Sequence, residues 1–167
     1  MFTPTVKTTI IEDHSAHLKK VLKHIANIDV LVGIPQKNTT RKGEPVTNAE
    51  LAFIHSNGSP IRNIPARPFI EPAIENDREN ISQLLSDAMS AALSGDGLEA
   101  NKKLKEAGMR GQAVSQLWFE QPDKNQWPEN SPATKARKLK KHSTDPKPLI
   151  DTGEMRKSIT FVIRKKG

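Results

Sequence analysis

The chain is 167 residues long, carries a formal net charge of +7 and contains no cysteine. That length favours a single domain, and the lack of cysteine excludes disulfides, a thiolate nucleophile and zinc-thiolate sites. Because the sequence has neither a leader-like N-terminus nor an uninterrupted apolar run of about 18 residues, we expect a soluble, unexported protein with no membrane partner.

The first part of the chain predicts two strands on either side of a helix. β-branched residues nearly alternate over 4–11, which suggests a first strand. Over 13–27 apolar residues recur at three-and-four spacing, which predicts an amphipathic helix capped by Asp13 or Ser15. The apolar run IDVLVGIP at 28–35 predicts a buried, central strand. An exposed loop is expected over 36–46.

A second, shorter helix follows. Thr47 and Glu50 have the spacing of a capping box, which predicts a helix through His55. Asn57 and Gly58 would end it in a left-handed turn. Leu51 and Ile54 are expected to pack inward.

Two long helical patterns, at 72–93 and 98–119, are separated by the breaker Ser-Gly-Asp-Gly and predict an antiparallel hairpin. Gly108 and Gly111 lie on the second helix. They either permit close approach of another helix or are tolerated at a cost of up to about 1 kcal/mol each.

The segment from Gln121 to Pro148 holds five of the twelve prolines. Trp127 and Leu139 are its only sizeable apolar residues, too few for a core of its own. We interpret 121–147 as a proline-rich basic arm that is mobile in the free protomer and becomes ordered against a neighbour. The last piece, SITFVIRKK, alternates and returns to the sheet as a strand.

These elements predict an α+β fold over a single domain, 1–167. A small mixed or antiparallel sheet would pack against the long helical hairpin and the shorter N-terminal helix.

Three blocks are punctuated by proline: NGSPIRNIPARPFI at 57–70, WPENSPATKARK at 127–138 and PLIDTGEMRKSI at 148–159. The prolines of the first block predict a stiff, extended strap, in which Arg62 and Arg67 suit bidentate pairing with carboxylates. Ile64, Phe69 and Ile70 would anchor it on the core.

In the third block, Asp151 is placed to cap a helix, and Glu154 completes a capping-box spacing. Met155 and Ile159 would then face the same way.

Together with LVGIP at 31–35 and NAELAFIHSNGSP at 48–60, the blocks resemble the bacteriophage virion-morphogenesis family of minor tail, tail-completion and head-tail joining proteins. The resemblance implies a structural role in the virion, with residence in the host cytoplasm during assembly. It also implies a small mixed fold and ring-like self-association, for which a hexamer is the candidate stoichiometry. Neighbouring neck or tail proteins are the expected partners.

On this interpretation the strap, the arm and the Asp-Thr-Gly segment make the contacts between subunits or with partners. The expected contact residues are Arg62, Pro65, Arg67, Pro68, Phe69, Trp127, Pro128, Ser131, Pro132, Asp151, Gly153 and Arg156.

The positive charge is concentrated at the C-terminal end. From Ser131 to Gly167 there are eleven Lys or Arg against three Asp or Glu, a balance of +8 that leaves −1 for the rest. This segment is either a solubilising tail or a contact for phosphates or an acidic protein surface. The residues expected to make that contact are Lys135, Arg137, Lys138, Lys140 and Lys141.

The alternative function is a stand-alone nucleic-acid-binding protein without sequence preference. The chain has no Tyr, two Trp and five Phe, so base stacking is hardly available. Any DNA contact should therefore be to backbone phosphates.

No enzyme, cofactor or metal site is expected. LIDTG at 149–153 matches the aspartic-protease triplet, but the chain has no second triplet. Two of the histidines at 14, 17 and 24 could bind one metal ion through their spacing, but no third ligand is suitably placed. We interpret these histidines as solvated. His55 has no Ser or Cys nucleophile context, which makes it a helix-end residue or a contact between protomers.

Overall fold

A computed structural model describes residues 13–36, 46–141 and 146–166. The predicted strand at 4–11 and most of the predicted loop lie outside these ranges. The elements, in chain order, are α1 (Ser15–Ala26), β1 (Ile28–Gly33), α2 (Asn48–Asn57), α3 (Ile70–Asn76), α4 (Arg78–Leu93), α5 (Gly97–Leu117), α6 (Pro122–Asn125), α7 (Pro132–Lys141), α8 (Glu154–Lys157) and β2 (Thr160–Lys165). Short 3-10 turns lie at Pro60–Arg62 and Trp118–Glu120.

The sheet consists of β1 and β2, paired antiparallel from Ile28 opposite Lys165 to Gly33 opposite Thr160. Val32 and Phe161 face each other on the side that covers α5. The α+β class is therefore confirmed, with the antiparallel form of the predicted sheet. The C-terminal strand returns to the sheet as the alternation predicted.

The helical hairpin is present, but its first half is divided into two helices. The predicted helix over 72–93 is wrong as one element, because Asp77 leaves helical geometry (φ −110°, ψ 18°) between α3 and α4. The carboxylate of Asp77 accepts hydrogen bonds from Asn80 and from the Arg110 guanidinium of α5. The second half of the hairpin, α5, begins at Gly97, and the Asp96 carboxylate caps it by accepting a hydrogen bond from the Glu99 amide at 2.9 Å. α1 packs against α4, on the hairpin.

Gly108 and Gly111 are the positions where the sheet lies directly on α5. A Cβ at Gly111 would be 2.8 Å from Val32 Cγ2, and a Cβ at Gly108 would overlap the Phe161 ring. The close approach is real, but the partner is the sheet. The predicted approach of another helix is wrong, because side chains of the strands fill this space.

The core lies at the C-terminal end of α5. Phe69 and Phe119 have ring centroids 4.9 Å apart, and Trp127 meets Phe119 edge-on at 5.4 Å. Met155 and Ile159 are both buried in the same cluster, which confirms that they face the same way. The strap, the end of the hairpin and the arm therefore share one aromatic cluster.

Among the described residues, no helix combines the length and the apolar composition that crossing a bilayer requires.

We expect Gly108→Ala to lower the free energy of unfolding by about 1–3 kcal/mol, since the added methyl group overpacks the interface with Phe161. The gain in helix propensity, about 1 kcal/mol, offsets only part of this loss. Urea denaturation measures the change. Gly97→Ala is the matched control, because nothing lies within 4 Å of its Cβ position. Equal stability of Gly108→Ala and the wild type would contradict the described seating of the sheet.

Candidate functional site: a cavity where the proline blocks meet

The strap (residues 57–70) begins as a folded turn. The Ser59 amide donates to the Ile64 carbonyl at 2.8 Å, and the Ile64 amide donates back at 3.0 Å. Asn63 has a left-handed backbone, and Gly58, at φ +75°, has no room for a Cβ beside Ala66. The predicted fully extended strap is therefore wrong for its first half, because these two residues reverse the chain. The capping box of α2 and its end at Gly58 are confirmed.

Arg67 holds the strap to the arm. Its side chain is only 6% exposed. Its Nε donates to the Pro128 carbonyl and its Nη2 to the Glu129 carbonyl, both at 2.9 Å, while its amide donates to the His55 carbonyl at 2.8 Å. The predicted bidentate geometry is present, but carboxylate partners were the wrong prediction, because main-chain carbonyls of the arm take their place. Burial lowers the pKa of Arg67.

The arm is also held by Trp127, whose Nε1 donates to the Pro68 carbonyl at 2.9 Å. Its described residues contact the rest of the same chain, and Trp127 packs against the main core. The expected mobility of the arm in the free protomer, with ordering against a neighbour, stays a prediction. Leu139 is 55% exposed and is not the second anchor that the sequence suggested.

Lys138 points inward from α7. It is 9% exposed, and its Nζ donates to the Lys147 carbonyl at 2.7 Å and to the Ile150 carbonyl at 2.6 Å. Its predicted role as a surface contact for phosphate is therefore wrong, because two main-chain carbonyls bind its ammonium group. Burial lowers the pKa of Lys138, and the nearby Asp151 carboxylate opposes that effect.

The other basic residues of α7 are more accessible. Lys135 pairs with the Glu129 carboxylate, whose pKa this pairing lowers. Lys141 lies 3.8 Å from the Asp151 carboxylate. Arg137, Lys140 and Lys141 are exposed.

The Asp-Thr-Gly segment does not form the predicted capping box. α8 begins at Glu154 directly after its N-cap residue Gly153, which has a left-handed backbone (φ +75°) and no side chain that could cap the helix. Asp151 is therefore an exposed residue and not a cap. The Glu154 amide donates instead to the Thr152 hydroxyl at 3.4 Å. Arg156, further along, pairs with the Glu120 carboxylate.

These pieces enclose a cavity of about 260 Å³, which we call the central cavity. α2, the strap, α7 and the Asp-Thr-Gly segment all contribute to its wall. The lining residues are Leu51, His55, Arg67, Asn130, Thr134, Arg137, Lys138, Leu149, Asp151, Thr152, Gly153, Glu154 and Met155.

His55 is the titratable group whose environment in this cavity is most unusual. Its Nδ1 is buried and, among the described residues, has no hydrogen-bond partner. Burial, and after it the positive charges of Arg67 and Lys138, lower the pKa of His55. The imidazole is therefore neutral at pH 7 and can accept or donate one hydrogen bond at Nδ1.

The described residues contain no group of three or more potential metal ligands of the His, Cys, Asp or Glu type. The polar groups of the central cavity serve mainly to hold backbone segments together. This arrangement can present hydrogen-bond donors and positive charge to a bound group.

The predicted contact residues fall into three sets. Arg67 and Phe69 are buried inside the chain, which leaves them little surface for a contact between subunits. Trp127, Gly153 and Arg156 are half-buried. The exposed members are Arg62, Pro65, Pro68, Pro128, Ser131, Pro132 and Asp151.

Sequence reasoning missed an apolar surface beside Arg62. Ile61 is 98% exposed and Phe53 is 70% exposed. Phe53 borders a cleft of about 600 Å³, the α2 groove, which Ala49, Ile54 and Arg62 also line. The sequence did contain a signal for this exposure. Leu51 and Ile54 were expected to face the core, and Phe53 lies between them in the α2 sequence, on a different face of the helix.

Comparisons with protein-family models, with curated proteins and with solved structures find no match to this chain. The family resemblance therefore stays a prediction.

Arg67→Lys should lower the free energy of unfolding by about 2 kcal/mol or more, because an ammonium group cannot reproduce the two parallel hydrogen bonds to the arm. Urea denaturation followed by tryptophan fluorescence measures the loss. Arg62→Lys, an exposed change in the same strap, should stay within about 0.5 kcal/mol of the wild type. Similar losses in both variants would refute the role of Arg67.

His55→Gln should flatten part of the pH dependence of stability. Because the folded state lowers the pKa of His55, the unfolded chain takes up its proton first as the pH falls. The stability contributed by His55 is thus complete above its ordinary pKa of about 6.5 and is lost as the pH falls towards the lower folded value.

Urea unfolding at about pH 7.5 and about pH 5 tests this effect. The wild type should lose more stability than His55→Gln over that interval. The matched change of exposed His17, His17→Gln, should keep the wild-type loss. A wild-type loss in His55→Gln would show that His55 does not contribute.

Proposed function

We propose that this chain is a phage structural protein at the neck or tail top, a tail-completion or head-tail joining component that acts through self-association. The observation that carries the proposal is the exposure of two apolar side chains, Ile61 on the strap and Phe53 in the α2 groove that Arg62 of the strap also lines. Arg67 and Trp127 fix this strap to the arm.

A fixed apolar surface suits assembly. Ile61 lies in a 3-10 turn that the Ser59 and Ile64 hydrogen bonds close, so little backbone freedom remains to be lost on association. Exposed apolar patches with a polar rim are typical of protein interfaces, and Arg62 and Glu50 supply such a rim here.

The chemistry of the proline blocks supports a mechanical role. Arg67, Lys138 and Trp127 direct their donors to main-chain carbonyls, which stiffens the fold. Such hydrogen bonds suit a structural protein that must present an interaction surface without deforming.

Mass measurement of the purified protein over a concentration range tests self-association. Oligomers of defined size should form as the concentration rises, and Ile61→Ser should shift their formation to concentrations about tenfold higher. Leu98→Ser is the matched control, because Leu98 is 85% exposed but lies at the start of α5, away from the strap. A wild-type protein that stays monomeric at high concentration would overturn the proposal.

Mass spectrometry of purified particles whose genome encodes the chain tests the virion assignment separately.

The alternative is a stand-alone protein that binds nucleic acid, and the exposed cations Arg137, Lys140 and Lys141 on α7 favour it. Three phosphate contacts would give a slope no steeper than about −2.7 for log affinity against log salt. A monomer that binds duplex DNA with such a slope would replace the assembly proposal. Trp127 is the aromatic residue nearest to α7 in sequence, but it packs against Phe119 and donates its indole N–H to the strap. It is therefore already engaged within the chain and poorly placed to stack on a base.

A further inference from the structure

We infer that the central cavity binds one carboxylate group, such as that of an Asp or Glu side chain. The site is built from two buried cations, Arg67 and Lys138, and a buried imidazole nitrogen of His55. The inference rests on the geometry of the cavity and does not depend on a role in virions.

The two cations have donors to spare. Of the five N–H groups of a guanidinium, Arg67 uses one at Nε and one at Nη2, and its Nη1 has no hydrogen-bond partner among the described residues. Lys138 uses two of its three N–H groups on the Lys147 and Ile150 carbonyls. The oxygens of a bound carboxylate would accept hydrogen bonds from these unused N–H groups.

The charge around the cavity favours an anion of low charge. The lining carries three cations, Arg67, Arg137 and Lys138, against the carboxylates of Asp151 and Glu154. Lys141, 3.8 Å from Asp151, adds to the positive balance. A carboxylate lowers this balance while adding only one negative charge beside the two acidic residues. Inorganic phosphate, with an average charge of about −1.5 at neutral pH, would meet more repulsion from the two acidic residues than a carboxylate does.

The depth of the cations excludes a DNA backbone as the occupant. Arg67 and Lys138 are 6% and 9% exposed, so a group must enter a cavity of about 260 Å³ to meet them. A slender Asp or Glu side chain can enter, whereas a duplex backbone stays at the surface. The exposed lining residues are Arg137, Asp151, Thr152 and Glu154. The charged ones among them stand where an incoming group would first be attracted or repelled.

NMR of the His55 imidazole provides the readout. The probes are sodium acetate and a capped glutamate whose only charge is its side-chain carboxylate, with inorganic phosphate and a short DNA duplex as competitors. A bound carboxylate offsets the positive charges that lower the pKa of His55, so saturating probe should raise that pKa. Both carboxylate probes should shift the imidazole signals saturably.

Three variants separate a site from a general ionic effect. Arg137→Gln should weaken acetate binding about fivefold, and Lys105→Gln, the same change at an exposed position of α5, should leave it unchanged. Asp151→Asn should strengthen binding about threefold, since it removes a repelling charge, and a loss of folding cannot produce that result.

The inference is overturned by any of three results. The first is an absence of any response of the His55 signals to acetate and to the capped glutamate. The second is an equal weakening of the response by Arg137→Gln and Lys105→Gln, which would indicate ionic strength alone. The third is a shift of the signals by phosphate or duplex DNA at a lower concentration than acetate needs, which would assign the cavity to another ligand.

Discussion

The structure depends on one guanidinium group held between carbonyls. Arg67 joins the strap to the arm through Pro128 and Glu129, and the same residue forms a wall of the central cavity. Because these acceptors belong to the main chain, no substitution of a neighbouring side chain can remove them. A buried charge satisfied in this way fixes the position of the strap relative to the arm.

The elements with strong apolar periodicity could be predicted from the sequence. α1, the hairpin and the returning strand β2 follow directly from spacing, and the Thr47 capping box is read from two residues. The division at Asp77 could not be foreseen, because it depends on Arg110, which approaches only once the hairpin has formed. Tertiary contacts of this kind override local propensity.

The site was only partly predictable, for a related reason. Proline and arginine marked the right segments, but they did not identify the partners. Arg67 and Lys138 look like surface cations in sequence, and only the fold brings free carbonyls within their reach. Main-chain carbonyls carry no sequence signature, so a residue that binds them is indistinguishable from one that binds solvent or phosphate.

The pairing of β1 with β2 has a consequence for biosynthesis. Ile28 and Lys165 are separated in sequence by the helices α2 to α8, yet they are partners in the sheet. Because β2 is synthesised after α5, the helices can fold before the Phe161 ring covers Gly108. Closure of the sheet therefore follows synthesis of the helices, and a nascent chain that stalls before β2 leaves this part of α5 exposed to the cell's quality control.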